Sequence, residues 1–175
     1  SLPDWIAPLL QQWRDPADAA TRLQQTVVLS RQNIEHDGGP FAALVTDGDG
    51  RLLGLGVNRV VDAGCSHWHA EMVAIAMAQR AVQSHDLRGS GAVLYSSCEP
   101  CAMCIGAILW SGVRELVYAA LDEDARAIGF DEGPKLAGWQ DYLRARGIAV
   151  NADAGLREAA SSVLRDYAAS GQVIY

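Results

Sequence analysis

Lysine is nearly missing from this chain of 175 residues: Lys135 is the only one, and 14 basic residues face 21 acidic ones for a formal net charge of −7. A surface so poor in cations argues against a general electrostatic grip on nucleic acid or on an anionic membrane. Long apolar runs are missing too. No stretch approaches the ~20 apolar residues that cross a bilayer, and the opening SLPDWIAPLLQQWRD is amphipathic rather than basic and then uniformly apolar, so no targeting segment is expected. Internal repeats, low-complexity tracts and linkers are absent. Half of the residues are hydrophobic (50%), ample for a core that needs no staple, and the expectation is a single domain over residues 1–175. Cysteine is scarce but uneven: three of the four stand in SSCEPCAMCIGAILWSG, residues 96–112. That crowding is unlike a secreted disulfide framework and points to metal or redox chemistry in a reducing compartment, hence to a soluble, cytoplasmic protein with small neutral ligands as its candidates.

Hydrophobic periodicity predicts helices over residues 5–13 and about 15–36, the second stopping at DGGP (37–40). FAALVTD and RLLGLGVN, joined by GDG, read as a β-hairpin. A loop, VVDAGCSHW, then leads to a helix from His69 to about Ser84. AVLYSSC (92–98) reads as a strand, residues 100–110 as a helix beginning with Pro100, and RELVYAA (114–120) as a strand. LAGWQDYLRARG and LREAASSVLRDYAAS look helical, with IAVNAD between them as a further strand. A hairpin followed by β-α-β implies a mixed sheet with helices on both faces.

Within SSCEPCAMCIGAILWSG, Cys98/Cys101 and Cys101/Cys104 both have C-x-x-C spacing. Pro100 marks a helix start, so Cys101 and Cys104 fall one turn apart on one helix face. The positive end of the helix dipole there favours thiolate over thiol, the form a zinc ion takes. Two thiolates leave such a site half filled. HWHAEMVAI offers the partner: His69 opens a helix, with Glu71 two residues on. His69, Cys101 and Cys104 make three protein ligands, the number typical of a catalytic zinc that keeps its fourth position for water. Glu71 is then placed to take a proton from that water. Blander readings stand beside this one. A single C-x-x-C also serves as a buried apolar pair or a redox couple, and a structural zinc would recruit Cys65, Cys98 or His67 as fourth ligand. Neither gives Glu71 a role.

The pairing of H-A-E (69–71) with P-C-x-x-C (100–104) resembles the cytidine deaminase superfamily, and the likeness runs from GGPFAALV to LVYAALDEDARAIGFDEG, residues 38–133. SCEPCAMCIGAILWSGV together with AIGFDEG is most similar to its bacterial guanine deaminase branch. The resemblance implies an α/β fold, a three-layer α/β/α sandwich around a mixed five-stranded sheet, with one Zn2+ per chain. It also implies hydrolytic deamination of a free nucleobase, with guanine, water and a zinc-activated nucleophile giving xanthine and ammonia. By position, Asn58 would hydrogen-bond the base, Phe41 would line the pocket, the backbone N–H of Ala70 would hold a base oxygen, and Trp110 would lie near the pocket. Glu132, with Asp131 before it, would be a second carboxylate. Chemistry favours having two: one proton must reach a ring nitrogen and another the leaving amine, so acids on opposite sides shorten both transfers. The bland alternative is that DEDARAIGFDEG is a solvated acidic turn.

Cytosine, nucleosides, an amino-triazine such as ammeline, and adenosine in transfer RNA are the competing substrates, and a non-catalytic zinc module is the competing class. DAGCSHWHAE departs from the shorter loop of many relatives by placing His67 and Trp68 near the expected mouth. Tyr175, in the closing GQVIY, is the candidate for the aromatic residue with which the C-terminal tail of some guanine deaminases closes the partner's site. The family's usual assembly implies a homodimer, for which the apolar helices at 5–13 and 101–110 are the candidate faces.

Overall fold

The computed structural model describes residues 2–175. A five-stranded sheet carries the molecule, with strand order β2-β1-β3-β4-β5. Its strands are β1 (Ala42–Thr46), β2 (Leu52–Val57), β3 (Val93–Cys98), β4 (Glu115–Ala120) and β5 (Ala149–Ala152). The β1–β2 and β1–β3 pairings are antiparallel, whereas β3, β4 and β5 run parallel. Helices α1 (Ala7–Gln12), α2 (Ala19–Glu35), α3 (Ala70–Val82), α4 (Ala102–Ser111), α5 (Asp122–Ala127), α6 (Trp139–Ala145) and α7 (Ala154–Ala169) complete the chain. The expected mixed α/β sheet and its order of elements are therefore observed. The first half of the acidic run after β4, for which a solvated turn is the alternative reading of the sequence, forms the short helix α5, where Leu121 N–H donates to Asp124 Oδ2 at 2.8 Å.

Alternation along the strands sorts the core into two layers. Ala42 and Leu44 of β1 pack with Leu23, Val27, Val163 and Leu164 of α2 and α7 on one face. Ala43 and Val45 pack with Ala74, Ala78 and Ile108 of α3 and α4 on the other. The N-terminal helical residues Trp5, Leu9, Leu10 and Trp13 pack, partly buried, against the first of these cores.

Register brings the functional segments to one end of the sheet. Ala42 pairs with Val57 and Ala43 with Ser96, while Cys98 pairs with Ala120. Phe41, Asn58, Cys98 and Leu121 consequently emerge on the same edge, from which α3 and α4 also set out. Two glycines let α3 lie close on β2. A Cβ at Gly56 would stand 2.2 Å from the Ala70 carbonyl, and one at Gly54 2.5 Å from that of Ala74. Gly56→Ala is expected to cost about 1–3 kcal/mol through overpacking against backbone that cannot give way. It should also lower zinc occupancy by pushing out the helix start beside His69. Thermal melts with metal analysis test this, and an unaffected zinc content would break the link between the glycine and the site.

Candidate metal centre

His69 and Cys101 occupy equivalent places, the N-cap residues of α3 and α4, both with extended backbone (φ −68°, ψ 154° and φ −67°, ψ 171°). Such positions favour Ser, Thr, Asp or Asn, whose side chains turn back to the helix and contribute typically ~1 kcal/mol. Here neither side chain caps its helix. Both point to a common centre instead. Pro100 therefore precedes the N-cap rather than opening the helix as expected, and Cys104 falls at the third helical position.

The Sγ atoms of Cys101 and Cys104 lie 3.4 and 3.7 Å from His69 Nδ1. With Zn–S of about 2.3 Å and Zn–N of about 2.0–2.1 Å, tetrahedral coordination puts N and S about 3.6 Å apart, so the three groups fit zinc without rearrangement. They form the group able to hold a metal ion, their ligand atoms all within 4.8 Å of one another, and no fourth His, Cys or carboxylate belongs to it among the described residues. Three ligands and an open position are the arrangement of a catalytic zinc, not of a closed structural one. The two thiols share their proton unequally. Hydrogen bonds from Cys104 and His69 draw the Cys101 thiol down to about 4, while the Cys101 thiolate and burial drive Cys104 up. All four cysteines are free of disulfides. Cys98, the last residue of β3, is buried, and its thiol faces the Leu121 carbonyl at 3.7 Å. Burial holds that thiol well above its ordinary range, and Cys98 is not a member of the ligand group.

A pocket of about 270 Å³ opens onto this centre. Phe41, Asn58, His69, Glu71, Cys101 and Glu132 line it, and Ala70 is fully buried at the start of α3, where backbone N–H groups lack intrahelical partners. Glu71 is 7% exposed and accepts from Ser96 Oγ at 3.4 Å; burial raises its carboxyl above the usual range. Glu132, also 7% exposed, is pushed up to about 7 by burial, with Lys135 pulling the other way.

Asn58 is held from three sides. Asn33 Nδ2 donates to the carbonyls of Gly39 and Asn58 at 2.8 and 2.9 Å, Val60 N–H donates to Asn58 Oδ1 at 3.2 Å, and the Tyr175 hydroxyl donates to the same oxygen. Two donors on Oδ1 leave the Asn58 amide NH2 as the group available to a ligand.

Phe130 and Tyr175 also line the pocket, and the sequence carried little sign of the first. Phe130 stands edge-on to Phe41 with centroids 4.9 Å apart, and edge-on to Tyr175 at 5.2 Å. Its place two residues before Glu132 was the available signal. Trp110 is a correction. It sits six residues beyond Cys104 on α4, about 9 Å along the axis and on a different face, since each residue advances 1.5 Å and about 100°. There it is 79% exposed, in a groove with Arg88, Arg114 and Arg146 rather than in the pocket. His67 and Trp68 line a separate groove with Met72 and Met77, and Val60 and Ser66 are the residues of that loop that reach the pocket.

The family profile described as the cytidine and deoxycytidylate deaminase zinc-binding region matches residues 18–120, and the chain belongs to this family of zinc-binding deaminases. Among its relatives, a guanine deaminase from Bacillus subtilis is 37% identical over 113 residues, 64% of this chain and 70% of that protein. A solved guanine deaminase from Nitrosomonas europaea superimposes with a TM-score of 0.88 at 45% identity, covering 97% of this chain and 94% of the other. A structure of NE0047 in complex with 2,6-diaminopurine superimposes with a TM-score of 0.89 at 46% identity over 100% of this chain and 94% of that one.

Proposed function

We infer that this protein is a zinc-dependent guanine deaminase, converting guanine and water to xanthine and ammonia. The observation that carries the reading is the open His69–Cys101–Cys104 centre at the floor of a base-sized pocket with Glu71 and Glu132 on its walls. Its likeness over nearly the whole chain to a guanine deaminase structure supports that substrate. When bound, zinc supplies a Lewis acid that lowers the pKa of a water toward neutrality. Glu71, buried beside the centre, would take a proton from the attacking water and pass it to the ring nitrogen. Glu132 carries a proton to the departing amine. The Asn58 amide donates to an acceptor on the base, the Ala70 N–H holds a base oxygen, and Phe41 with Phe130 forms the apolar wall. Residues 1–175 act as one deaminase domain, a reading supported by two core layers on a single sheet.

At about 270 Å³ the cavity lies just below the roughly 300–1,000 Å³ of ligand pockets, which favours a free base over a nucleoside or polymer. The net charge of −7 likewise opposes transfer RNA as substrate. No helix among the described residues is long and apolar enough to cross a membrane. A cytoplasmic location accords with a site that needs reduced thiols. A homodimer accords with the outer face of α4, where Met103 and Trp110 are 38% and 79% exposed with Gly106 and Ala107 between them, at helix-face spacing. Trp110→Glu is then expected to run as a monomer in sedimentation; a monomeric wild type at tens of micromolar overturns the dimer.

Ammonia release from guanine, cytosine, adenine, guanosine and ammeline tests the substrate. Complementary hydrogen bonding separates such candidates by up to roughly 10⁴-fold, so guanine should lead clearly. Zinc-loaded protein that spares guanine while turning over another of the five overturns the assignment.

A further inference from the structure

The only lysine of the chain is not on the surface. Its side chain is 10% exposed, with Nζ 2.6 Å from Asp122 Oδ1, 3.1 Å from Glu99 Oε1 and 3.8 Å from Glu132 Oε2. Three carboxylates therefore face one ammonium. Trp139 Nε1 donates to Glu99 Oε1 at 3.2 Å, and Asp122 N–H donates to Glu99 Oε2 at 3.2 Å, so Glu99 is itself fixed. Glu99 and Glu132 both line the pocket.

The location matters because residues 130–136 belong to no helix or strand. Backbone hydrogen bonds tie the ends of this segment to the flanking helices, Phe130 N–H to the Ala125 carbonyl at 3.2 Å and Trp139 N–H to the Leu136 carbonyl at 3.1 Å, but between them Glu132 depends on individual tethers. Three are backbone contacts: Ala102 N–H to the Glu132 carbonyl at 3.0 Å, Gly133 N–H to Asp131 Oδ1 at 2.9 Å, and Arg126 Nη2 to the Gly133 carbonyl at 2.8 Å. Gly133 turns with φ +70°, and a Cβ there would stand 3.1 Å from that of Ala102. Lys135 is the tether that bridges carboxylates of three segments, while Arg126 pairs with Asp122 alone, Nε to Oδ2 at 2.6 Å. Lys135 joins the segment to Glu99, on the turn between β3 and α4, and to Asp122 at the start of α5. Without it, the half-buried Glu99 and Asp122 would face Glu132 with only Arg126 left nearby, and Arg126 is engaged on Asp122 Oδ2 at 2.6 Å, the situation in which like-charged side chains move apart.

We propose that Lys135 is a positioning residue for the reaction: by clamping Glu99 and Asp122 it holds the Glu132 carboxylate toward the pocket. The inference rests on the reading of Glu132 as the second proton carrier. Removing a group that orients a metal ligand typically lowers activity about 10–100-fold, and a loss of that order is expected for one that orients a proton carrier. Lys135→Met, which keeps the length of the stem and removes the charge, is expected to lower kcat by that factor at unchanged zinc content and with KM within about threefold.

A double-mutant cycle separates positioning from general support. In a Glu132→Gln background, itself slowed yet measurable, Lys135→Met should cost less than about threefold more, since the group it positions is gone. A full additive loss in that background overturns the proposal, and so does Lys135→Met within twofold of wild type while Glu132→Gln is slow. Lys135→Met/Glu99→Gln, which restores charge balance, covers a fold that tolerates no unpaired Glu99. If both variants unfold or lose zinc, Lys135 serves stability alone and the proposal is overturned. Full turnover by Glu132→Gln would show up in that single variant and would remove Glu132 itself from the chemistry.

Discussion

Glu71→Gln is expected to keep one zinc per chain and to lose turnover by roughly 10²–10⁴-fold, the range that general acid–base groups supply. The carboxylate is not a member of the ligand group, so metal content has no reason to change. Glutamine preserves the shape and the acceptor for Ser96 Oγ. What it loses is the ability to take a proton from water and deliver it to the ring nitrogen. Its effect on stability should be neutral or favourable, because burial already penalises the charged carboxylate at this position. Metal analysis alongside an ammonia-release assay checks both halves. Turnover near wild type would sink the proton-transfer role, and loss of zinc would reassign Glu71 to the metal.

The second large effect separates the cysteines. Cys101→Ser should lose zinc, whereas Cys98→Ser should retain it and remain active. Cys101 lies 3.4 Å from His69 Nδ1 at the positive end of α4, where hydrogen bonds from Cys104 and His69 hold its thiol near pKa 4. A serine hydroxyl does not ionise there, so one of three ligands goes. The loss should exceed the roughly 10–100-fold seen when only an outer partner of a ligand is removed. Cys98 ends β3 with its thiol facing the Leu121 carbonyl, an acceptor that a serine hydroxyl also suits. Competition with a chromophoric chelator reads both affinities. The reverse pattern would undo the ligand assignment.

The two changes probe separate functions of one geometry. On the proposed reading zinc is held by three residues, two of them helix N-caps whose side chains forgo capping, and the proton is moved by a carboxylate buried at a cost to the fold. Proteins keep such locally unfavourable groups where activity depends on them. Gly54 and Gly56 contribute from a distance by letting α3 approach β2 closely enough to carry His69 and Glu71 inward.

By itself the sequence determined the local parts: the strands and longer helices, the H-A-E and P-C-x-x-C helix starts, and hence the three ligands and Glu71. These are short-range patterns, fixed by helix phase and by what each side chain does within a turn. Tertiary structure decided what meets what. Only the register of β1 with β2 and β3 sets Phe41, Asn58 and Cys98 on one edge. Phe130 and Tyr175 reach the pocket through packing between segments distant in the chain, and the phase of α4 carries Trp110 outward. The acidic stretch after β4, which composition alone marks as a solvated turn, instead folds around Lys135. A count of charges gives their number, and only the fold decides which of them are buried together.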